Sequence, residues 1–261
     1  MDFIEITAKD NPLIKLASSL QSSSKARNES GLFALEGLRI CKDAYENSIR
    51  FDKLIITNEA YKKYNMDIEK FAENSDKCYL VTDVLFKKIS DTNNPQGILA
   101  IAETPQININ ISTNKRYIGL ENIADPSNLG AISRTAEALG FDGIILTSTG
   151  CDPYSPKSLR SSMGTLLRMP LYITEDLGDF LKTHNLNGYA CVVDDDATSI
   201  SSIRFNRGDV LLIGNEANGL SEQLKNVAKE RVTIPMRGKA ESLNAAAAAA
   251  IVMWEAVRFN D

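Results

Sequence analysis

RYIGLENIADPSNLGAISRTAEALGFDGIILTS, residues Arg116–Ser148, reads as strand, helix, strand. Arg116–Leu120 is a short apolar run. Ser127–Leu139 places Ile132, Ala136 and Leu139 on one helical face, with Ser127 or Asn128 as the cap and Gly140 as the stop. Gly143–Ser148 is apolar again. The alternation continues downstream through a helix near Leu177–His184, strands at Tyr189–Val193 and Asp209–Ile213, a helix over Leu220–Lys229, a strand at Val232–Ile234, and a last helix from about Ser242 to Arg258. Strands alternating with helices predict an α/β fold with a parallel sheet covered on both faces.

Upstream, residues 1–103 read as a smaller α/β unit. A polar helical stretch at Pro12–Lys25 is followed by Leu32–Leu35, a helix through Cys41–Asn47, and strands at Lys53–Thr57, Cys78–Val81 and Gly97–Ala102. The stretch ETPQININISTN, Glu103–Asn114, is polar, contains a proline and lacks a helical period, which makes 104–114 the linker between 1–103 and a second domain, 115–261.

The 261 residues are 43% hydrophobic and 24% charged, the balance of a globular protein with a substantial core. Lys and Arg total 29 against 34 Asp and Glu, a net charge of -5, which excludes nucleic-acid binding by bulk positive charge but leaves local basic patches open. Cys41, Cys78, Cys151 and Cys191 stand far apart with no C-x-x-C pair, and the single histidine, His184, has none of them near it, so no metal site is expected. The start, MDFIEITAKD, lacks an apolar signal core, and no run reaches the length needed to span a bilayer, so a cytoplasmic protein with reduced thiols is expected.

In an open parallel sheet, ligands sit outside the carboxyl ends of strands. Three loops there are unusual. Glu121–Gly130 leads into a helix that carries Arg134; Asn128 and Arg134 are six residues apart, about 240° around a helix, and share a face only if the first turn is distorted or Asn128 lies outside it. Ile213-Gly214-Asn215-Glu216 with Gly219-Leu220 ends a strand on a glycine where backbone can approach a ligand, yet it fits neither a Walker A loop nor G-x-G-x-x-G. Ile234-Pro235-Met236 with Ser242-Leu243-Asn244 leads into a run of alanines; Ser242 also fits an N-cap role, and the alanines suit a buried helix.

In this order the three loops resemble the signature motifs of the SpoU branch of the SPOUT RNA methyltransferases, and Arg160–Gly164 with Met169-Pro170 is similar to a further family segment. The resemblance covers about residues 116–259. The front unit, with Phe33-Ala34-Leu35-Glu36-Gly37, resembles the ribosomal-protein-like RNA-binding domain that many members carry. The likeness implies methyl transfer from S-adenosylmethionine to a ribose 2′-hydroxyl, in ribosomal RNA rather than transfer RNA, by a homodimer whose C-terminal region holds a trefoil knot. It implies that Arg134 acts at the reacting hydroxyl, with Asn128, Glu216, Ser242 and Asn244 in support, and that Gly214, Ile234, Met236 and Leu243 hold the cofactor. One departure is Ala245-Ala246, where members often have a β-branched residue and a serine.

RNA contacts are expected from two acid-free basic segments, one with Lys15, Lys25 and Arg27 and the other with Lys157, Arg160 and Arg168; acids gather in Glu175–Asp196. A non-catalytic RNA-binding or assembly factor of the same fold is the rival from another class, opposed by the intact motif residues. A nucleotide-dependent oxidoreductase is disfavoured by the missing glycine fingerprint.

Overall fold

Pro12 at the first turn of a helix, with Asn11 before it to accept the Leu13 amide at 2.8 Å, starts the first helix of a computed structural model that describes residues 3–105 and 110–258. By contacts the described residues form two units: those up to 105 together with Asp152–Arg168, and 110–151 together with those from 169 on.

Unit one contains β1 (Ile4–Ile6), α1 (Pro12–Ser22), α2 (Ser24–Ser30), β2 (Leu32–Glu36), α3 (Leu38–Glu46), β3 (Phe51–Thr57), α4 (Asn58–Glu73), β4 (Ser75–Val81), α5 (Asp83–Ile89) and β5 (Ile98–Glu103). Its sheet runs β1-β4-β3-β5-β2, parallel through β1, β4 and β3 and antiparallel at β5 and β2. Leu13, Ile14, Ala17 and Leu20 turn one face of α1 into a core with Ile55, Leu85, Phe86 and Ile101, while Lys15, Ser18 and Ser22 lie on the other face. The expected helix over Pro12–Lys25 is two helices, because Ser23 breaks the first and caps the second by accepting the Ala26 amide at 3.2 Å.

Unit two holds β6 (Tyr117–Leu120), α6 (Pro126–Ala138), β7 (Gly143–Thr147), β8 (Leu171–Thr174), α9 (Leu177–Thr183), β9 (Asn187–Cys191), β10 (Thr198–Ser199), β11 (Asp209–Ile213), α10 (Glu222–Val227), β12 (Glu230–Thr233) and α11 (Ala245–Val257). The seven strands run β10-β12-β9-β11-β6-β7-β8, every pair parallel, as the alternation predicts. β11 inserts between β9 and β6, so the chain reverses its direction of travel across the sheet beside β6, which is where a parallel sheet opens a ligand crevice. The cap of α6 is Asp125, whose carboxylate accepts the Ser127 amide at 2.9 Å, rather than Ser127 or Asn128. Both Asn128 and Arg134 therefore lie within one unbroken helix.

Asp152–Arg168, which sequence places in the C-terminal domain, carries α7 (Pro156–Ser162) and α8 (Thr165–Arg168) and groups with unit one. Tyr154 packs on Phe33 with ring centroids 5.0 Å apart. The expected linker lies partly outside the described residues.

Candidate active site

The loops leaving β6, β11 and β12 meet through one chain of hydrogen bonds. Asn244 caps α11, its Oδ1 accepting the Ala246 amide at 2.9 Å and the Ala247 amide at 3.3 Å. Its Nδ2 donates to Asn128 Oδ1 at 3.0 Å, and Asn128 Nδ2 donates in turn to Glu216 Oε1 at 2.7 Å. The Glu216 carboxylate also accepts the amides of Ala124 at 3.0 Å and Asp125 at 3.2 Å. Burial opposes the Glu216 charge, but these donors outweigh it and hold its pKa below the ordinary value. One carboxylate and two carboxamides thus tie together segments that lie far apart in the chain. Asn244, not Ser242, is the cap of α11.

Gly214 makes the second loop possible. Asn215 and Gly219 exchange two backbone hydrogen bonds, 3.0 and 2.9 Å, so the loop doubles back over Gly214. A Cβ there would lie 2.1 Å from the Gly219 carbonyl carbon. Gly219 itself has φ +67°, the left-handed region that glycine enters without strain.

Beside this loop lies a cavity of about 380 Å3. Its walls include Gly214, Ile234, Met236, Ser242 and Leu243, as the sequence motifs suggest, together with Glu216. Sequence reasoning missed the wall formed by Cys191–Asp194, and Val252 on α11. The strand at Tyr189–Val193 was itself legible, and the rule that ligands sit at carboxyl ends of strands applies to its end too. Two charges in the lining are already paired, Asp194 with Arg231 at 2.7 Å and Lys225 with Glu222 at 2.7 Å. Burial pushes the Cys191 thiol up to about 12. What remains is apolar surface and main chain with a few polar side chains, Glu216, Asn215, Asn218, Thr233 and Ser242, a lining that suits a flat heteroaromatic ring recognised at its edge, in a volume within the usual range for small-molecule sites. The residues present fit S-adenosylmethionine.

Arg134 stands apart from this network. It is exposed on α6, whereas Asn128 is buried, and no hydrogen bond or ion pair joins Arg134 to Asn128, Glu216 or Asn244. With Ser127, Ala131 and Ala138 it follows a helical stripe on α6. α6 packs against α11, whose own exposed stripe is Ala247, Ile251 and Trp254; Trp254 is 58% exposed. His184, at the C-cap of α9 against the Phe180 ring at 4.4 Å, is a helix-end residue.

The six expected RNA contacts divide. Lys15, Lys25 and Lys157 are exposed, Lys25 beside Glu29 at 3.7 Å. Arg160 is half-exposed and paired with Asp91 at 2.7 Å, and Arg168 reaches Thr165 Oγ1 at 3.4 Å. Arg27 is a correction. It is 6% exposed, its Nε bonded to Asp152 Oδ2 at 2.6 Å and its Nη1 to the Leu20 carbonyl at 2.5 Å, so it anchors unit one and is not available to RNA. Among the described residues no cluster of His, Cys, Asp and Glu is arranged to hold a metal, and no helix is long and apolar enough to cross a membrane.

Residues 115–254 match the SpoU rRNA methylase family, and residues 11–100 match the MRM3-like substrate binding domain. An uncharacterized tRNA/rRNA methyltransferase of Synechocystis is 32% identical over 98% of this chain and 94% of its own length. The 23S rRNA (guanosine(2553)-2'-O)-methyltransferase RlmP of Bacillus subtilis is 26% identical over 96% of this chain and 98% of its own. Among solved structures, the AdoMet-bound rRNA methyltransferase of Sinorhizobium meliloti superposes with a TM-score of 0.87 at 28% identity, covering 99% of each chain. The SpoU methyltransferase AviRb of Streptomyces viridochromogenes, in complex with AdoMet, superposes at 0.82 with 26% identity, covering 95% of this chain and 98% of its own.

Proposed function

The chain belongs to the SpoU rRNA methylase family, and from that premise we propose that it transfers a methyl group from S-adenosylmethionine to a ribose 2′-hydroxyl of ribosomal RNA. The observation that carries this reading is the Asn244–Asn128–Glu216 chain of hydrogen bonds, which joins the three motif loops beside a cavity that fits the cofactor. Relatives that align along nearly their whole length act, by their names, on 23S rRNA, which favours ribosomal over transfer RNA.

When bound, S-adenosylmethionine supplies an electrophilic methyl whose departing sulfur is neutral, so no general acid is needed. The work left to the protein is to position the hydroxyl and to leave its proton a path to solvent water as the new C–O bond forms. Gly214, Ile234, Met236 and Leu243 line the cavity, where Gly214 would give backbone access and the other three would offer apolar contact to the adenine of the bound cofactor. Asn128, Glu216 and Asn244 fix the loops that carry those groups, and Ser242 lines the same cavity. A guanidinium is a planar cationic donor and not a base, so Arg134 clamps an RNA phosphate and polarises the hydroxyl rather than taking its proton.

The reading includes a homodimer. The Ala247, Ile251 and Trp254 stripe is an apolar surface of the kind a second copy would cover, and Arg134 stands on the neighbouring helix. It also includes a trefoil knot in the C-terminal stretch, supported by the placement of β11 between the earlier strands β9 and β6, and a cytoplasmic location.

Calorimetry with S-adenosylmethionine, followed by methylation of RNA from cells lacking the protein, tests the proposal. Cofactor binding with methylation of ribosomal RNA is expected, and absence of cofactor binding at high micromolar concentration would sink it. Arg134→Ala should abolish transfer while cofactor affinity survives; full activity in that variant would show that its role is misassigned.

A further inference from the structure

Unit one carries an open hollow of about 420 Å3 lined by Lys9, Lys15, Lys88, Ser18, Ser19 and Ser22. Positions 15, 18, 19 and 22 recur at helical spacing on one face of α1. Lys88 comes from α5, which packs along α1, and Lys9 from the turn before α1. All three lysines are exposed, none is in an ion pair among the described residues, and no carboxylate lines the hollow. Asp10, next to Lys9 in the chain, is exposed outside that lining. By contrast Arg27, Arg160 and Lys25, also in unit one, each sit beside a carboxylate.

The serines add a second chemistry. Ser19 Oγ donates to the Leu16 carbonyl at 2.8 Å, and Ser22 Oγ to the Ser18 carbonyl at 2.9 Å. With their protons committed, these hydroxyls offer lone pairs only. A phosphate, which carries acceptors, gains nothing from them. A ribose 2′-hydroxyl can donate to them, and that group distinguishes RNA from DNA.

We propose that this hollow seats the sugar-phosphate backbone of the RNA substrate, with Lys9, Lys15 and Lys88 on phosphates and Ser19 and Ser22 accepting from ribose 2′-hydroxyls. The assignment rests on the reading of the chain as an RNA methyltransferase. The side chains concerned are on the surface, so replacing them leaves the core untouched.

The test compares the wild type with a Lys9→Gln, Lys15→Gln, Lys88→Gln triple variant on ribosomal RNA from cells lacking the protein. The variant should raise KM for RNA roughly tenfold and flatten the slope of log affinity against log salt by about 2, at about 0.7 for each lost phosphate contact. Its affinity for S-adenosylmethionine should not change. A Ser19→Ala, Ser22→Ala variant should narrow the preference for RNA over DNA of the same sequence while keeping the salt slope. Unchanged KM and slope in the triple variant, beside an active wild type, would overturn the hollow alone. A wild type that methylates neither ribosomal nor transfer RNA would overturn the methyltransferase reading. Loss of binding to phosphatidylserine vesicles with the RNA KM intact would assign the hollow to a membrane surface and overturn the proposal.

Discussion

Glu216 is a carboxylate asked to stay ionised by donors that all serve loop geometry. Its depressed pKa means that the folded protein binds its proton less readily than the unfolded chain does. The stabilisation is therefore present above the ordinary value of 4.5 and is lost as pH falls through the lower folded value. Hydrogen exchange at the Ala124 and Asp125 amides should be slow and insensitive to opening across neutral pH, and protection should fall in that acid range. Glu216→Gln should remove the acid dependence and cost about 1 kcal/mol at neutral pH, the value of charged hydrogen bonds discounted for partial exposure. An unchanged acid profile in the variant would place the titration elsewhere. Glu216, Asn128 and Asn244 were legible in the sequence because their motifs keep a fixed order. Arg27 was misread because its partner Asp152 lies 125 residues away, and charge counted in a short window cannot see it. The hydrogen-bond partners of Asn128 were equally out of view.

At the scale of elements, Gly214 and α11 are the points where small changes should have large effects. Gly214→Ala would force the returning Gly219–Leu220 backbone outward, since no flexible side-chain end is available to give way. A destabilisation of about 1–3 kcal/mol is expected, the usual cost of overpacking, with loss of cofactor binding as the calorimetric readout. Trp254→Glu places a charge in the α11 stripe and, if the proposed homodimer forms through that stripe, should give a monomer in analytical ultracentrifugation where the wild type is a dimer. A variant that stays dimeric would move the interface to another face. Five strands of unit two were readable from apolar runs bounded by glycine and polar loops, and α11 from its alanines, whereas the short β8 and β10 were not. The caps were less so: Asp125 and Asn244 each take the role that neighbouring Ser127 and Ser242 could fill by type. Which of two adjacent polar residues turns its oxygen toward a helix end is decided by the backbone entering it. α4 and α5 escaped the sequence reading because their charged outer faces mask a thin apolar stripe, Ala60, Ile68, Phe71 and Ala72 in the first and Leu85, Phe86 and Ile89 in the second.

For the whole molecule, order along the chain and order in space part company at Asp152. Sequence divides the chain once, near residues 104–114, whereas unit one takes a second portion after β7. Removing residues 1–103 alone would uncover Tyr154, which packs on Phe33, and Leu159, which lies beside Glu36 and Gly37. A shortened chain should keep its cofactor site only if Asp152–Arg168 is also replaced by a flexible linker; S-adenosylmethionine binding by both shortened forms checks this. Equal binding and equal thermal stability in the two would mean that the second portion needs no cover. A protease site inserted at the exposed Thr113–Asn114 turn should nick the chain without separating the pieces on gel filtration, because Asp152–Arg168 still grips the front fragment. The same ion pair has a consequence for synthesis on the ribosome. At about 5–20 residues per second, Asp152 emerges roughly 6–25 s after Arg27. Until then the guanidinium must remain in water, because burying it unpaired would be prohibitive. The unit begun first is thus completed late, and its closure waits on a segment made after two of the second unit's seven strands, β6 and β7.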